Sequence, residues 1–131
     1  MPQKTKIEIK VLNVGTFHII YDGSPHGHPG YIVWKDDEKN LYIAIKFGTS
    51  LNKNNFKLQK QIDSEKERYI YKRLFVGKRK DFGKQELTQF VITEEVKKLY
   101  QKIKSNNLMF SKNISSKDKK EFKNKKITDL P

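Results

Sequence analysis

The chain has 131 residues, 35% of them hydrophobic, with 28 Lys and Arg against 15 Asp and Glu and a formal charge of +13. That length and apolar content suit one domain with a small core, and the charge favours polyanionic partners, nucleic acid first. With no cysteine, a disulfide framework and a thiolate metal site are both excluded. The three histidines lack ligand spacing, so chemistry without metal or cofactor is the expectation. The first ten residues are charged and alternating, and no apolar run is long enough to span a bilayer, which leads us to expect a cytoplasmic protein with no membrane partner.

In chain order, KIEIKVLNV (6–14) alternates apolar and polar residues as a half-buried strand does. After Gly15, TFHIIY (16–21) is β-branched and aromatic and is expected to pair with that first strand, with His18 packed inside it. DGSPHGHP (22–29) concentrates turn formers and reads as a loop feeding the apolar strand GYIVW (30–34). A polar connection, KDDEKN (35–40), leads to the return strand LYIAIKF (41–47), which ends at Gly48. Residues 51–68 give weak signals. YIYKRLFV (69–76) regains strand character, GKRKDFG (77–83) is a basic loop, and LTQFVI (87–92) is a short strand or the lead-in to a helix. Thr93 then caps Glu94 and Glu95, and Val96, Leu99, Tyr100 and Ile103 recur at helical spacing, which predicts a helix from about Thr93 to Ser105. Beyond 105 the chain is lysine-rich. We expect a domain at 1–105 and a basic extension at 106–131, flexible or weakly helical around 116–125. Strands followed by a helix predict an α+β, mainly β fold, a small, strongly curved antiparallel sheet or partial barrel with a C-terminal helix.

Two clusters carry possible chemistry. His26 and His28 flank Gly27 ahead of one strand, and Thr49-Ser50 follows the next. In an antiparallel hairpin those two ends lie side by side, with Lys46 and Lys53 adding positive charge. Cleaving RNA without a metal needs a group to take the 2′-hydroxyl proton, a group to protonate the leaving oxygen, and donors for the phosphorane charge; imidazole suits the first two roles. Lys78, Arg79 and Lys80, beside Tyr69, Tyr71 and Phe82, offer phosphate contacts and stacking faces to single-stranded RNA. Each of these residues alone has an ordinary reading as turn, core or solvated surface.

The succession GHPGYIVW, IKFGTS, FKLQ, YIYKRLFVGKRKDFGK and a terminal helix, from about Val14 to Lys104, resembles the MazF/PemK/Kid group of toxin endoribonucleases. Pro29 with Tyr31-Ile32-Val33 is similar to the family's P-x-x-V-V run, and Thr49-Ser50 to its Thr-Ser. Where the family usually has Arg before that proline, this chain has His28. In the related ToxN group, held in check by an RNA, a Lys closely follows Thr-Ser, and Lys53 resembles it one position later. The resemblance implies an SH3-like barrel and a toxin of a toxin-antitoxin system that cuts single-stranded RNA without metal, leaving a cyclic phosphate and a 5′-hydroxyl. Carried onto this chain, it implies His28 as acid or base, Thr49 and Ser50 as donors to the scissile phosphate, and Lys53 and Arg73 as charge stabilisers. His26, Lys46, Tyr71, Lys72, Lys78, Arg79 and Lys80 would then contact RNA. An acidic protein or a structured RNA would serve as antitoxin, and a homodimer fits the fold. Two other functions share these features: a barrel that binds nucleic acid without cutting it, and a gyrase poison of the same fold.

Overall fold

A computed structural model of the chain describes residues 11–49, 53, 55–62, 66–105 and 117. They form a mainly β domain with five strands and one short helix. The strands are β1 (Phe17–Ile20), β2 (His28–Asp36), β3 (Leu41–Gly48), β4 (Asn55–Lys57) and β5 (Tyr69–Gly77). All neighbours are antiparallel, in the order β1-β2-β3-β5-β4. A 3-10 turn (Arg79–Asp81) follows β5, and helix α1 (Glu94–Ser105) is the last named element.

The β2–β3 hairpin is the centre of the sheet, as its continuous apolar runs require. Its turn is set by short-range chemistry. The Asp36 carboxylate accepts the N–H groups of Glu38 (3.1 Å) and Lys39 (3.3 Å), and Asn40 takes the left-handed conformation (φ 52°) that asparagine tolerates. β3 is buried on both faces, and its alternating side chains separate two cores. Leu41, Ile43, Ile45 and Phe47 enter the first, with Phe17, Tyr31, Ile70, Leu74, Val76 and the helix residues Val96, Tyr100 and Ile103. Tyr42 and Ala44 enter the second, with Leu12, Ile20, Ile32 and Phe82. A bulge between Ile32 and Trp34 lets both Val33 and Trp34 join the first core, so the single tryptophan is a packing residue.

α1 starts where expected. Thr93 Oγ1 accepts the Val96 N–H at 3.2 Å, and Glu94 and Glu95 occupy the first turn, where acidic side chains favour the helix dipole. Val96, Tyr100 and Ile103 are almost fully buried, each contributing about 1.5–3 kcal/mol by leaving water.

Several expectations are corrected. Of the strand expected at 6–14, residues 6–10 lie outside the described residues, and 11–14 are irregular and lead into a turn. Leu12 covers the second core, its N–H donating to the Tyr42 hydroxyl at 3.1 Å. Among the described residues β1 pairs with β2 and with no preceding strand. β2 begins earlier than GYIVW, so His28 and Pro29 belong to a strand, opposite Ile20 and Ile19. β4, three residues long, was not expected as a strand. Of the two readings of 87–92, the lead-in to the helix holds and the strand does not; the Leu87 N–H donates to the Phe17 carbonyl at 2.8 Å on the way to α1. The weak helix expected at 116–125 lies outside the described residues apart from Lys117.

The chain after β5 returns to β1. Phe82 bridges Ile20, the Tyr21 N–H donates to the Asp81 carbonyl (2.7 Å), and the Gly83 N–H donates to the Ile19 carbonyl (2.8 Å). The outer edge of β1 is thus covered by the segment that leaves β5 on the far side of the sheet.

Candidate active site

The β1–β2 connection is held by its own polar groups. Ser24 donates to Asp22 Oδ1 through both its N–H (3.3 Å) and its hydroxyl (2.8 Å), an Asx-type turn. Gly27, at φ 68°, passes so close to β1 that a Cβ there would stand 2.6 Å from Ile19 Cγ2 and from the Ile20 carbonyl oxygen. The loop is therefore pressed onto the sheet, and it turns Asp22 inward, where its side chain is 11% exposed.

Asp22 Oδ2 accepts two hydrogen bonds, one from His28 Nδ1 and one from Lys46 Nζ, both at 2.8 Å. Lys46 reaches it from β3, one residue short of the strand's Phe47-Gly48 end, because Gly30 and Lys46 are register partners. A carboxylate only accepts, so His28 Nδ1 carries a proton, and in the neutral form of the ring Nε2 is then the acceptor. Partial burial by itself pushes the Asp22 carboxyl up, but hydrogen bonds from Lys46 and Ser24 outweigh it and hold the group well below the usual carboxylate range. Asp22 stays ionised and its grip on the imidazole persists.

Tyr71 of β5 joins this cluster to the end of β3. Lys46 Nζ lies 4.3 Å from the centre of its ring, and the His28 ring meets it edge-on at 5.7 Å. A Cβ on Gly48 would stand 2.6 Å from Tyr71 Cε1, so only glycine lets the ring lie there. Residues two apart on a strand share a face, which puts Arg73, exposed, on the Tyr71 side of β5. Thr49, also exposed, follows Gly48 directly. No family model, curated protein or solved structure matches the chain.

Of the residues singled out from sequence, His28 and Lys46 share Asp22 and each meets the Tyr71 ring, and Thr49 and Arg73 lie next along the strands. Ser50 lies outside the described residues. Lys53 is exposed in the turn ahead of β4, and its carbonyl accepts Lys72 Nζ at 2.9 Å. Lys72 points to the opposite face from Tyr71. His26 is exposed in the loop two residues before His28. Lys78, Arg79 and Lys80 leave the other end of β5, where Gly77 pairs with Tyr42 and the Arg79 N–H donates to Asn40 Oδ1 at 3.0 Å. The length of the strand separates them from the cluster. His18, buried, is a structural pin whose ring nitrogens meet the Gly83 carbonyl (2.9 Å) and Thr16 Oγ1 (3.0 Å).

Asp22 and Ser24 are the members sequence reading missed. The only signal was D-G-S, which reads as a turn, and it is one, but the same turn supplies the carboxylate. A cleft of about 620 Å³ lined by Ile62, Val91, Thr93, Glu95 and Lys97 among others contains none of these residues. Among the described residues no three His, Cys, Asp or Glu side chains gather as a metal site, and no helix is long and apolar enough to cross a membrane.

Proposed function

We propose that the chain is a metal-independent endoribonuclease of the MazF/PemK/Kid kind, cutting single-stranded RNA as the toxin of a toxin-antitoxin pair. The observation that carries this reading is the Asp22–His28 pair at 2.8 Å, with Nε2 of the imidazole left available on a rim that also bears Lys46, Tyr71 and Arg73. A carboxylate that fixes the tautomer and orientation of a histidine is the arrangement of a general base. In this scheme His28 Nε2 takes the proton of the ribose 2′-hydroxyl, and the 2′-oxygen attacks the adjacent phosphorus. Arg73, with the Thr49 and Ser50 hydroxyls, stabilises the phosphorane charge, and Lys53 adds to the positive field. The P–O5′ bond then breaks to give a 2′,3′-cyclic phosphate, and the leaving 5′-oxygen takes a proton from the Tyr71 phenol or from solvent. His28 thus does the work expected of the family's arginine position by proton transfer, where an arginine would act by charge.

The fold reading belongs to the same proposal. The strand order, with the 81–87 segment returning onto β1, supports an SH3-like partial barrel. An acidic protein or a structured RNA acts as antitoxin by covering a face of a molecule with net charge +13.

The test is incubation of the purified protein with a mixed single-stranded RNA pool in EDTA, followed by mapping of the ends. Cyclic phosphate and 5′-hydroxyl ends are expected, with His28→Ala slower by about 10²–10⁴-fold. Intact RNA, or a His28→Ala protein as fast as its parent, overturns the reading. Binding that weakens steeply with salt and yields no product would instead support a nucleic-acid-binding module, and arrest of replication with messenger RNA intact would support a gyrase poison.

A further inference from the structure

Lys46 and His28 bond the same atom, Asp22 Oδ2, each at 2.8 Å. Two groups on one oxygen cannot stand farther apart than the two bonds laid end to end, so the ammonium is fixed in distance from the imidazole. Lys46 Nζ also lies 4.3 Å from the centre of the Tyr71 ring, and that ring is itself placed by its close approach to Gly48. Carboxylate and ring together leave the ammonium little freedom to lose when a ligand arrives. An ammonium has three donors. Asp22 takes one and the ring face another, which leaves a donor for a further acceptor.

The acceptor that suits this donor is an anion. Asp22 is satisfied within the protein, its Oδ1 by the N–H and hydroxyl of Ser24 and its Oδ2 by His28 and Lys46. Its side chain is 11% exposed against 20% for Lys46, so an incoming group meets the cation before the carboxylate. Exposed Thr49 follows two residues after Phe47 on the same run of chain, and exposed Arg73 shares the Tyr71 face of β5. In RNA the 2′-oxygen and the phosphorus it attacks belong to one nucleotide, a few bonds apart. A base and a cation on one carboxylate oxygen match that spacing, and they hold it with no reorganisation during the reaction. Lys53 has no such place. It is exposed in the turn ahead of β4, and its carbonyl accepts Lys72, which points away from the Tyr71 face.

We infer that Lys46 is the cation that grips the scissile phosphate, its distance from the His28 base set by the shared Asp22 oxygen. The inference deepens the endoribonuclease reading and rests on it for the identity of the ligand. Binding is tested apart from cutting with 2′-fluoro RNA, which has no nucleophile. The slope of log affinity against log salt should be shallower in Lys46→Met by about 0.7, one phosphate on a single strand. Lys46→Arg, which keeps the charge, should keep the slope. On unmodified RNA, Lys46→Met should cut about 10²–10³-fold more slowly. A lysine that served only to anchor Asp22 would also slow the reaction, so the deciding substrate carries sulfur in place of one non-bridging oxygen of the scissile phosphate. Sulfur accepts hydrogen bonds poorly. One of the two phosphorothioate diastereomers should therefore slow the wild type by about tenfold and leave Lys46→Met nearly unaffected. An unchanged salt slope in Lys46→Met overturns the inference, as does a slope lost equally in Lys46→Arg. If the slope falls as expected while the wild type leaves unmodified RNA uncut, Lys46 stands as a phosphate ligand and the nuclease reading falls. If RNA is cut and the sulfur effect survives in Lys46→Met, the nuclease reading stands and the inference falls.

Discussion

At the residue scale the site depends on Asp22, which holds His28 and Lys46 on one oxygen. Asp22→Asn keeps the shape of the side chain but removes the charge, so the imidazole loses its fixed proton at Nδ1 and Lys46 loses its anchor. If the chain cuts RNA as proposed, cleavage should slow by about tenfold to a hundredfold, less than the loss in His28→Ala; single-turnover rates on a defined RNA measure it, and an unchanged rate would remove Asp22 from the proposed mechanism. The same residue and His18 write two separate pH windows into stability. Desolvation lowers His18 from its ordinary 6.5, so between that value and the lowered one the unfolded chain binds a proton that the folded chain refuses, and stability falls as pH falls. The depressed Asp22 adds stability that is complete above its ordinary 3.8 and is lost as pH drops below it. Urea midpoints measured from pH about 7.5 down to about 3 should therefore fall in two stages, the upper absent in His18→Asn and the lower absent in Asp22→Asn.

At the element scale, the hairpin and α1 were legible because their periods are local. The continuous apolar, β-prone runs YIVW and LYIAIKF declare strands buried on both faces, and the 96, 99, 100, 103 spacing behind a Thr cap declares one buried helix face, each within a few residues. What alternation does not declare is a partner. KIEIKVLNV and TFHIIY looked like a hairpin, yet the Gly15 N–H goes to the Ile32 carbonyl (2.8 Å) and the Ile32 N–H to the Thr16 carbonyl (3.0 Å), so β2 takes the edge the first segment was expected to fill. Asp22 was hidden for a related reason, since its role needs Lys46 of another strand as well as His28. β4 escaped because three residues carry almost no period, and a neighbouring element secures the chain just beyond it. There the Glu95 carboxylate accepts the Gln59 N–H (2.9 and 2.8 Å to its two oxygens) and the Lys60 N–H (2.9 Å), tying the segment after β4 to the first turn of α1. Leu58 and Ile62 of that segment are buried in the first core. Glu95→Ala should cost about 1–3 kcal/mol in urea unfolding, and Glu95→Gln, which keeps one acceptor, less; an equal stability for all three proteins would show that the carboxylate is not the clasp.

For the whole molecule, the decisive feature is the return of the 81–87 segment to β1. A sheet ordered β1-β2-β3-β5-β4 would leave β1 as a free edge next to the loop that carries Asp22. Instead the carbonyls of Phe17 and Ile19 accept the N–H groups of Leu87 and Gly83, and the Tyr21 N–H is held by Asp81. Phe82 locks the return from inside. It is 3% exposed, with ring centres 5.6 Å from both Tyr42 and Phe75, so it packs β1, β3 and β5 into one core. If this closure belongs to the cooperative unit, the Gly83 and Leu87 amides exchange with solvent as slowly as those of Ile43 and Ile45 in β3, through global unfolding. Phe82→Ala should cost about 3–5 kcal/mol, which speeds exchange in β3 by that amount, and should shift Gly83 and Leu87 into a still faster class that opens ahead of β3. Because Tyr21 is the last residue before Asp22, the same variant should also slow cleavage at temperatures where it is still folded. Fast exchange of Gly83 and Leu87 in the wild type would mean that the return segment opens on its own, and the position of Asp22 would then have to be secured by its bonds to Ser24, His28 and Lys46 alone.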